Sequence, residues 1–176
     1  MKSTIFVIVS VFLVHSGFAQ YAESRCSVDF KIRNFGIPVF GNFDTTSITA
    51  NFDHEDIAQW VLYGHVAVTS IRTGNSKRDT HLQSEDYFDS KHYPKINLLA
   101  TNFEVLAKNK YTVTFDLTIK KMTKSIQVPI EIIDSKEGMT LQSYFEINRL
   151  DFEVGESRLA LSNTVKITIK YSLKNE

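Results

Sequence analysis

The chain has 176 residues, with 20 Lys and Arg set against 20 Asp and Glu. Such a length suits one domain with a sizeable core, and the balanced charge argues against nucleic acid, whose binding rests on clustered cations that neutralise phosphates. Cys26 is the only cysteine, which excludes an intrachain disulfide and leaves stability to the core.

The N-terminus places Lys2 ahead of an apolar run from Ile5 to Val14, followed by Ser16, Gly17, Phe18 and Ala19. This is the layout of a secretory signal peptide, residues 1–19, with cleavage before Gln20 and a single domain over 20–176. The run is about ten residues, whereas a membrane-spanning helix needs about 20, so the protein is expected to be exported rather than membrane-spanning. The expected location is the periplasm or the cell exterior. Glu23, Ser24 and Arg25 precede Cys26, a context unlike a lipoprotein's acylated cysteine, and Cys26 reads as a half-buried strand residue.

From there the sequence alternates apolar and polar residues with the period of half-buried strands. The expected strands are 26–32, 47–52, 61–71, 95–106, 111–119, 126–132, 139–147 and 165–173, eight in all. Tyr111, Val113, Phe115, Leu117 and Ile119 share one face, and Ile126, Val128, Ile130 and Ile132 repeat the pattern after a turn around 121–124, which makes a hairpin. Pro129 lies inside this second run and predicts an edge or a bulge there. The polar stretch 76–94 breaks the alternation. Ser84 followed by Glu85 and Asp86 predicts a capped short helix, and a second helical turn is expected within 53–59. The inward set includes Phe30, Phe40, Phe43, Phe52, Tyr111, Phe115 and Phe145, and an all-β sandwich or a closed barrel would both satisfy it.

No metal site assembles from His54, His65, His81 and His92, which are scattered without paired spacing. Asp79 and His81 lie close together near several serines, but no nucleophile elbow or Gly-rich phosphate loop accompanies them, so no catalytic residue is assigned.

Three segments carry a resemblance. They are VDFKIRNFGIPVFGNFDTTSITANFD, then VAVTSIRTGNSKRDTHLQSEDYFDSKHYPKI, and then DLTIKKMTKSIQVPIEI followed by INRLDFEV and LSNTVKITI. In this order they resemble the YceI-like family, with its Gly-x-Phe, its Thr-Gly-Asn, its Arg-Asp-x-His-Leu-x-Ser-x-Asp-aromatic-Phe-Asp run and its Tyr-Pro. The resemblance implies an extended eight-stranded antiparallel lipocalin-like barrel with one or two short helices. It also implies a lumen that binds a long-chain isoprenoid lipid, no catalysis, and no cofactor besides that lipid.

On this reading the lumen residues are Phe30, Ile32, Phe43, Phe52, Val113, Phe115, Leu117 and Phe145. The polar head of the lipid, or the end of the barrel, would be served by Arg33, Arg78, Asp79, His81, Ser84 and Asp86. Arg suits phosphate through paired N–H donors, although Arg78 with Asp79 or Asp86 would equally make an internal ion pair, and Tyr87 and Phe88 a plug. The chain departs from the family at Asn34, Phe35 and Gly36, where His-x-Gly is common, and at Lys121 and Met122. A barrel packed solid by its aromatics, acting as a structural or stress-related adaptor without a ligand, remains the alternative, and a homodimer of barrels is left open.

Overall fold

The alternating runs fold as strands of a single sheet. The computed structural model describes residues 24–52 and 56–174, and the expected signal peptide lies outside the described residues. In chain order the strands are β1 (Ser24–Asn34), β2 (Ile37–Phe43), β3 (Thr46–Asn51), β4 (Val61–Ala67), β5 (Ile71–Arg72), β6 (Lys95–Ala107), β7 (Lys110–Ile119), β8 (Met122–Ser135), β9 (Gly138–Asn148) and β10 (Thr164–Lys174). One helix, α1 (Ser76–Leu82), and short 3-10 turns complete the described elements.

The sheet order is β3-β4-β6-β7-β8-β9-β10-β1-β2-β5, antiparallel throughout. It curls around a lumen, as the all-β antiparallel barrel reading requires, with ten strands in place of eight. Two features account for the difference. Pro38 and Gly41 interrupt the apolar pattern of β2, which nevertheless pairs with β1 from Asn34–Ile37 to Asp29–Asn42. The run 61–71 is broken by a 3-10 turn, Val68–Ser70, into β4 and β5.

That turn closes the barrel. Because β4 is the second strand from one edge of the sheet, next to the edge strand β3, and β5 is the strand at the other edge, the turn links the two sides of the sheet through the chain itself. The Ser70 hydroxyl donates to the Ala67 carbonyl (2.7 Å) and accepts from the Thr45 amide (3.0 Å). Asp44 N–H reaches the Ser70 carbonyl and Ala67 N–H the Thr45 carbonyl, so β3 is held against this corner. Between β3 and β1 the seam is crossed by the Thr46 hydroxyl donating to the Cys26 carbonyl (3.4 Å).

Pro129 sits in an interior strand at the point where β8 parts from β9. The β8–β9 ladder runs from Ile130–Ser143 to Ser135–Gly138, and the Ser143 hydroxyl donates to the Pro129 carbonyl (2.7 Å). From Pro129 back to Met122, β8 therefore has a local edge on this side, where proline's missing N–H removes no ladder bond. The fork is filled by a 3-10 turn, Arg149–Phe152, whose Phe152 packs with Leu117, Ile119, Met122, Ile126 and Ile147. The β7–β8 connection is tighter than the expected 121–124, since Ile119 already faces Met122 across Lys120 and Lys121.

One end of the lumen is sealed by aromatic rings. Trp60, which is buried, stands edge-on to Phe52 (5.1 Å between centroids) and Phe103 (5.7 Å), and against Tyr111 (5.0 Å). Such pairs add to the burial of the rings themselves. Trp60→Ala should lower the unfolding free energy by about 3–5 kcal/mol. Urea unfolding followed by far-UV circular dichroism measures this, and an unchanged midpoint would show that the ring cluster does not hold that end.

Candidate functional site

Inward-facing residues on strands of a barrel are buried only if something lies across from them. Here Val28, Phe30 and Ile32 on β1, Ile96 and Leu98 on β6, and Val165, Ile167 and Ile169 on β10 stay only half-buried although they point inward. They line a cavity of about 580 Å³. That size falls within the range of small-molecule sites. The floor toward the sealed end includes Phe115, Val128, Ile130, Leu141 and Tyr171.

Of the eight expected lumen residues, the structure places Phe30, Ile32, Phe43, Phe115, Leu117 and Phe145 on the cavity wall. Val113 and Phe52 are not on it. Both face inward, but at the sealed end, where Val113 is 1% exposed in the core and Phe52 lies on Trp60. Phe40 is also corrected: three residues before Phe43, it takes the opposite face of β2 and is 62% exposed, with the Lys31 ammonium 5.3 Å from its ring centre. Gly41, facing Phe30 across the ladder, leaves the space that the Phe30 ring occupies, because a Cβ there would overlap the ring.

The opposite end is the mouth. It is framed by the β1–β2 turn at Asn34 and Phe35, by α1, and by the 153–162 loop. The stretch 76–94 folds differently from expectation. Its helix starts earlier, at Ser76, where the Asn75 side chain accepts from the Arg78 amide (3.1 Å). Ser84 is past the helix end, and its hydroxyl donates to the His81 carbonyl (2.7 Å).

Among the six polar candidates, Arg78 and His81 reach the cavity wall. Arg78 donates from Nε to the Thr73 hydroxyl (2.7 Å) and from Nη2 to the Thr73 carbonyl (2.7 Å). Asp79 takes the Thr73 amide (2.9 Å) and hydroxyl (2.5 Å), so the two charges meet on Thr73 and knot the β5–α1 connection. Their expected direct pairing is replaced by this shared partner. The His81 ring packs against Tyr87 at 4.8 Å. Arg33, Ser84 and Asp86 do not line the cavity: Arg33 belongs to the outer face of β1, Ser84 turns to the helix end, and Asp86 is exposed and accepts from Gly155 N–H through its carbonyl.

Sequence reasoning missed Arg149 and Arg158. Arg149 is 4% exposed and lines the cavity. Its Nε donates to the Ser162 carbonyl, Nη1 to the Val154 carbonyl, and Nη2 to the Glu156 carbonyl and the Asn163 side-chain oxygen, at 2.7–3.1 Å. Four of five guanidinium donors thus pin the mouth loop through uncharged oxygens. Burial draws its pKa below the usual arginine range, an effect that Tyr87 opposes and the nearby Arg158 reinforces. Arg158 is exposed on the same loop and also lines the cavity. Among the described residues no Asp or Glu lines the wall, so its charged side chains are all cationic. No group of three His, Cys, Asp or Glu suited to a metal ion occurs among the described residues.

The cavity is thus apolar along most of its wall and cationic at its mouth. The YceI-like domain model matches residues 20–173. The chain belongs to the YceI-like family. A UPF0312 protein of Vibrio campbellii is 30% identical over 140 residues, which cover 74% of this chain and 73% of that protein. Protein YceI of Escherichia coli O157:H7 is 27% identical over 107 residues, covering 60% and 56%. The chain spans 55% of the length of a UPF0312 protein of Photorhabdus laumondii and 59% of one from Vibrio parahaemolyticus.

Solved structures share the fold. Burkholderia cenocepacia BcnA superposes with a TM-score of 0.79 at 24% identity, over 84% of this chain and 95% of that one. A polyisoprenoid binding domain from Saccharophagus degradans, described as implicated in plant cell wall breakdown, gives 0.67 at 12% identity, over 86% and 94%.

Cys26 offers a probe within this YceI-like lumen. It is half-buried on the cavity wall, and burial pushes its thiol pKa up, partly opposed by Thr46. Alkylation by iodoacetamide should therefore show a pH midpoint above that of a free cysteine, because the thiolate is the reacting form. A midpoint at or below the free-cysteine value would place the thiol outside the apolar wall.

Proposed function

We propose that this YceI-like protein binds and carries a long-chain apolar lipid, a polyisoprenoid, in its lumen and catalyses no reaction. The carrying observation is the cavity of about 580 Å³, which the inward aromatics leave unfilled, sealed by rings at one end and open at a mouth whose wall charges are arginines. A solid barrel would show inward residues packed on one another, whereas Val28, Phe30 and Ile32 of β1 and Val165, Ile167 and Ile169 of β10 stay half-buried over the cavity.

The tail follows from the wall. Each CH₂ taken from water into it contributes about 0.8 kcal/mol, so a chain of isoprene units gains far more than its ordering costs. The polar end then lies at the mouth beside Arg78, His81 and Arg158, with the Arg149 charge behind them. Fold kinship to a domain described as polyisoprenoid binding supports the choice of tail. The non-catalytic reading is supported at Asp79, whose carboxylate accepts from the Thr73 amide and hydroxyl and not from His81. We further propose that residues 1–19 export the protein, so that it works in the periplasm or outside the cell.

Native mass spectrometry of protein purified from its own host, followed by solvent extraction, tests this reading. The expected result is a bound species of isoprenoid mass in the wild type and its loss in Ile169→Trp, which fills the cavity from β10. A wild-type mass free of ligand that stays so after incubation with polyprenyl lipids would return the barrel to the ligand-free adaptor reading.

A further inference from the structure

The β1–β2 connection is a two-residue turn in which Asn34 faces Ile37 and both central residues, Phe35 (φ 50°) and Gly36 (φ 77°), are left-handed. This is the geometry of a type I′ hairpin turn, whose first central position favours Asn, Asp or Gly. A bulky aromatic held there is strained, and strain of this kind gathers at sites of function. The Phe35 ring gains nothing from the core in return, for it is 79% exposed.

Other apolar side chains stand beside it. Phe35 N–H donates to the Ala160 carbonyl (2.6 Å), and Asn34 bridges to Leu161, so the 158–161 segment runs alongside the turn. Leu159, next to Ala160, is fully exposed, and Ile37, at the start of β2, is 67% exposed. Three large exposed apolar side chains thus stand on the β1–β2 hairpin end and the adjoining 158–161 segment. A contiguous apolar tip of this kind marks an interaction site.

Cations flank this tip. Arg33 lies one residue before the Asn34–Ile37 pair on the outer face of β1, Lys31 two residues further back, and Arg158 adjoins Leu159. Glu156 is the carboxylate in contact, 3.9 Å from the Arg158 guanidinium. Apolar side chains flanked by Lys and Arg fit a bilayer whose surface carries anionic headgroups: the apolar groups enter the headgroup–acyl boundary and the cations meet the phosphates. Phe35 and Arg158 also belong to the cavity wall, so this tip is continuous with the mouth.

We infer that Phe35, Ile37 and Leu159, flanked by Lys31, Arg33 and Arg158, form a docking surface for an anionic membrane that brings the lumen mouth onto the bilayer. The surface requires no particular lumen ligand, and its test reads vesicle binding instead of extracted lipid.

The experiment is flotation of purified protein with vesicles of phosphatidylcholine alone or containing phosphatidylglycerol, alongside Phe35→Ser/Ile37→Ser/Leu159→Ser and Arg33→Glu/Arg158→Glu. The wild type should float with the anionic vesicles and far less with the neutral ones. The charge variant should lose roughly fivefold in affinity per cation removed. The apolar variant should lose on the order of tenfold or more while keeping its melting temperature, because the substituted side chains are exposed. Equal flotation of the wild type and the apolar variant would overturn the proposal. So would a wild type that binds neither vesicle, or a wild type that forms dimers in sedimentation which the apolar variant abolishes without any change in flotation.

Discussion

The architecture depends on a mismatch between circumference and filling. A sheet of ten curled strands encloses more space than one inward set of Val, Ile, Leu and Phe side chains can occupy, whereas smaller barrels are filled by their own side chains. The void persists because the ring cluster around Trp60 fills one end completely and the 3-10 turn at Phe152 fills the fork opened at Pro129. What remains is an apolar volume between two packed regions, reached from the side of the β1–β2 turn. The site is therefore a consequence of how the strands close, and the polar features belong to its mouth.

Much of this frame is legible in the sequence, because side-chain parity is a local property. β7, β8 and β10 alternate so regularly that their inward residues can be read directly, and Val113, Phe115, Leu117 and Ile119 are all buried as the pattern requires. Parity does not report depth along the barrel axis. Val113 and Phe115 share a face, yet the first is packed at the sealed end and the second borders the cavity. The division between plug and wall is set by strand tilt and by what lies across the lumen, which no single strand encodes. Phe40 is different, since its offset from Phe43 already places the two rings on opposite faces of β2.

Elements that end alternation are decided by contacts distant in sequence. Ser84 has the sequence context of a helix cap, yet it is Asn75 that caps the helix that brings Asp79 and Arg78 onto Thr73. Arg149 gave no periodic signal either. It follows a strand directly, between Asn148 and Leu150, and its acceptors come from the segment 154–163, whose approach depends on the whole β9–β10 connection.

That arrangement gives the mouth two kinds of cation. Arg149 is buried and spends its donors on the loop, so its geometry serves the fold; truncating it would leave buried carbonyl groups unpaired and release the loop together with the charge. Arg158, on the same loop but exposed, is only loosely engaged with Glu156 and can turn toward a head group or a phosphate surface without disturbing that packing. Charge is thus separable from stability at Arg158 and inseparable from it at Arg149. The same division applies to the apolar residues of this end, where Phe152 and Val154 hold the loop from beneath and Phe35 and Leu159 are left to the solvent side. A mouth built this way sets an exposed polar and apolar rim on a packed base, so changes at the rim need not disturb the fold beneath it.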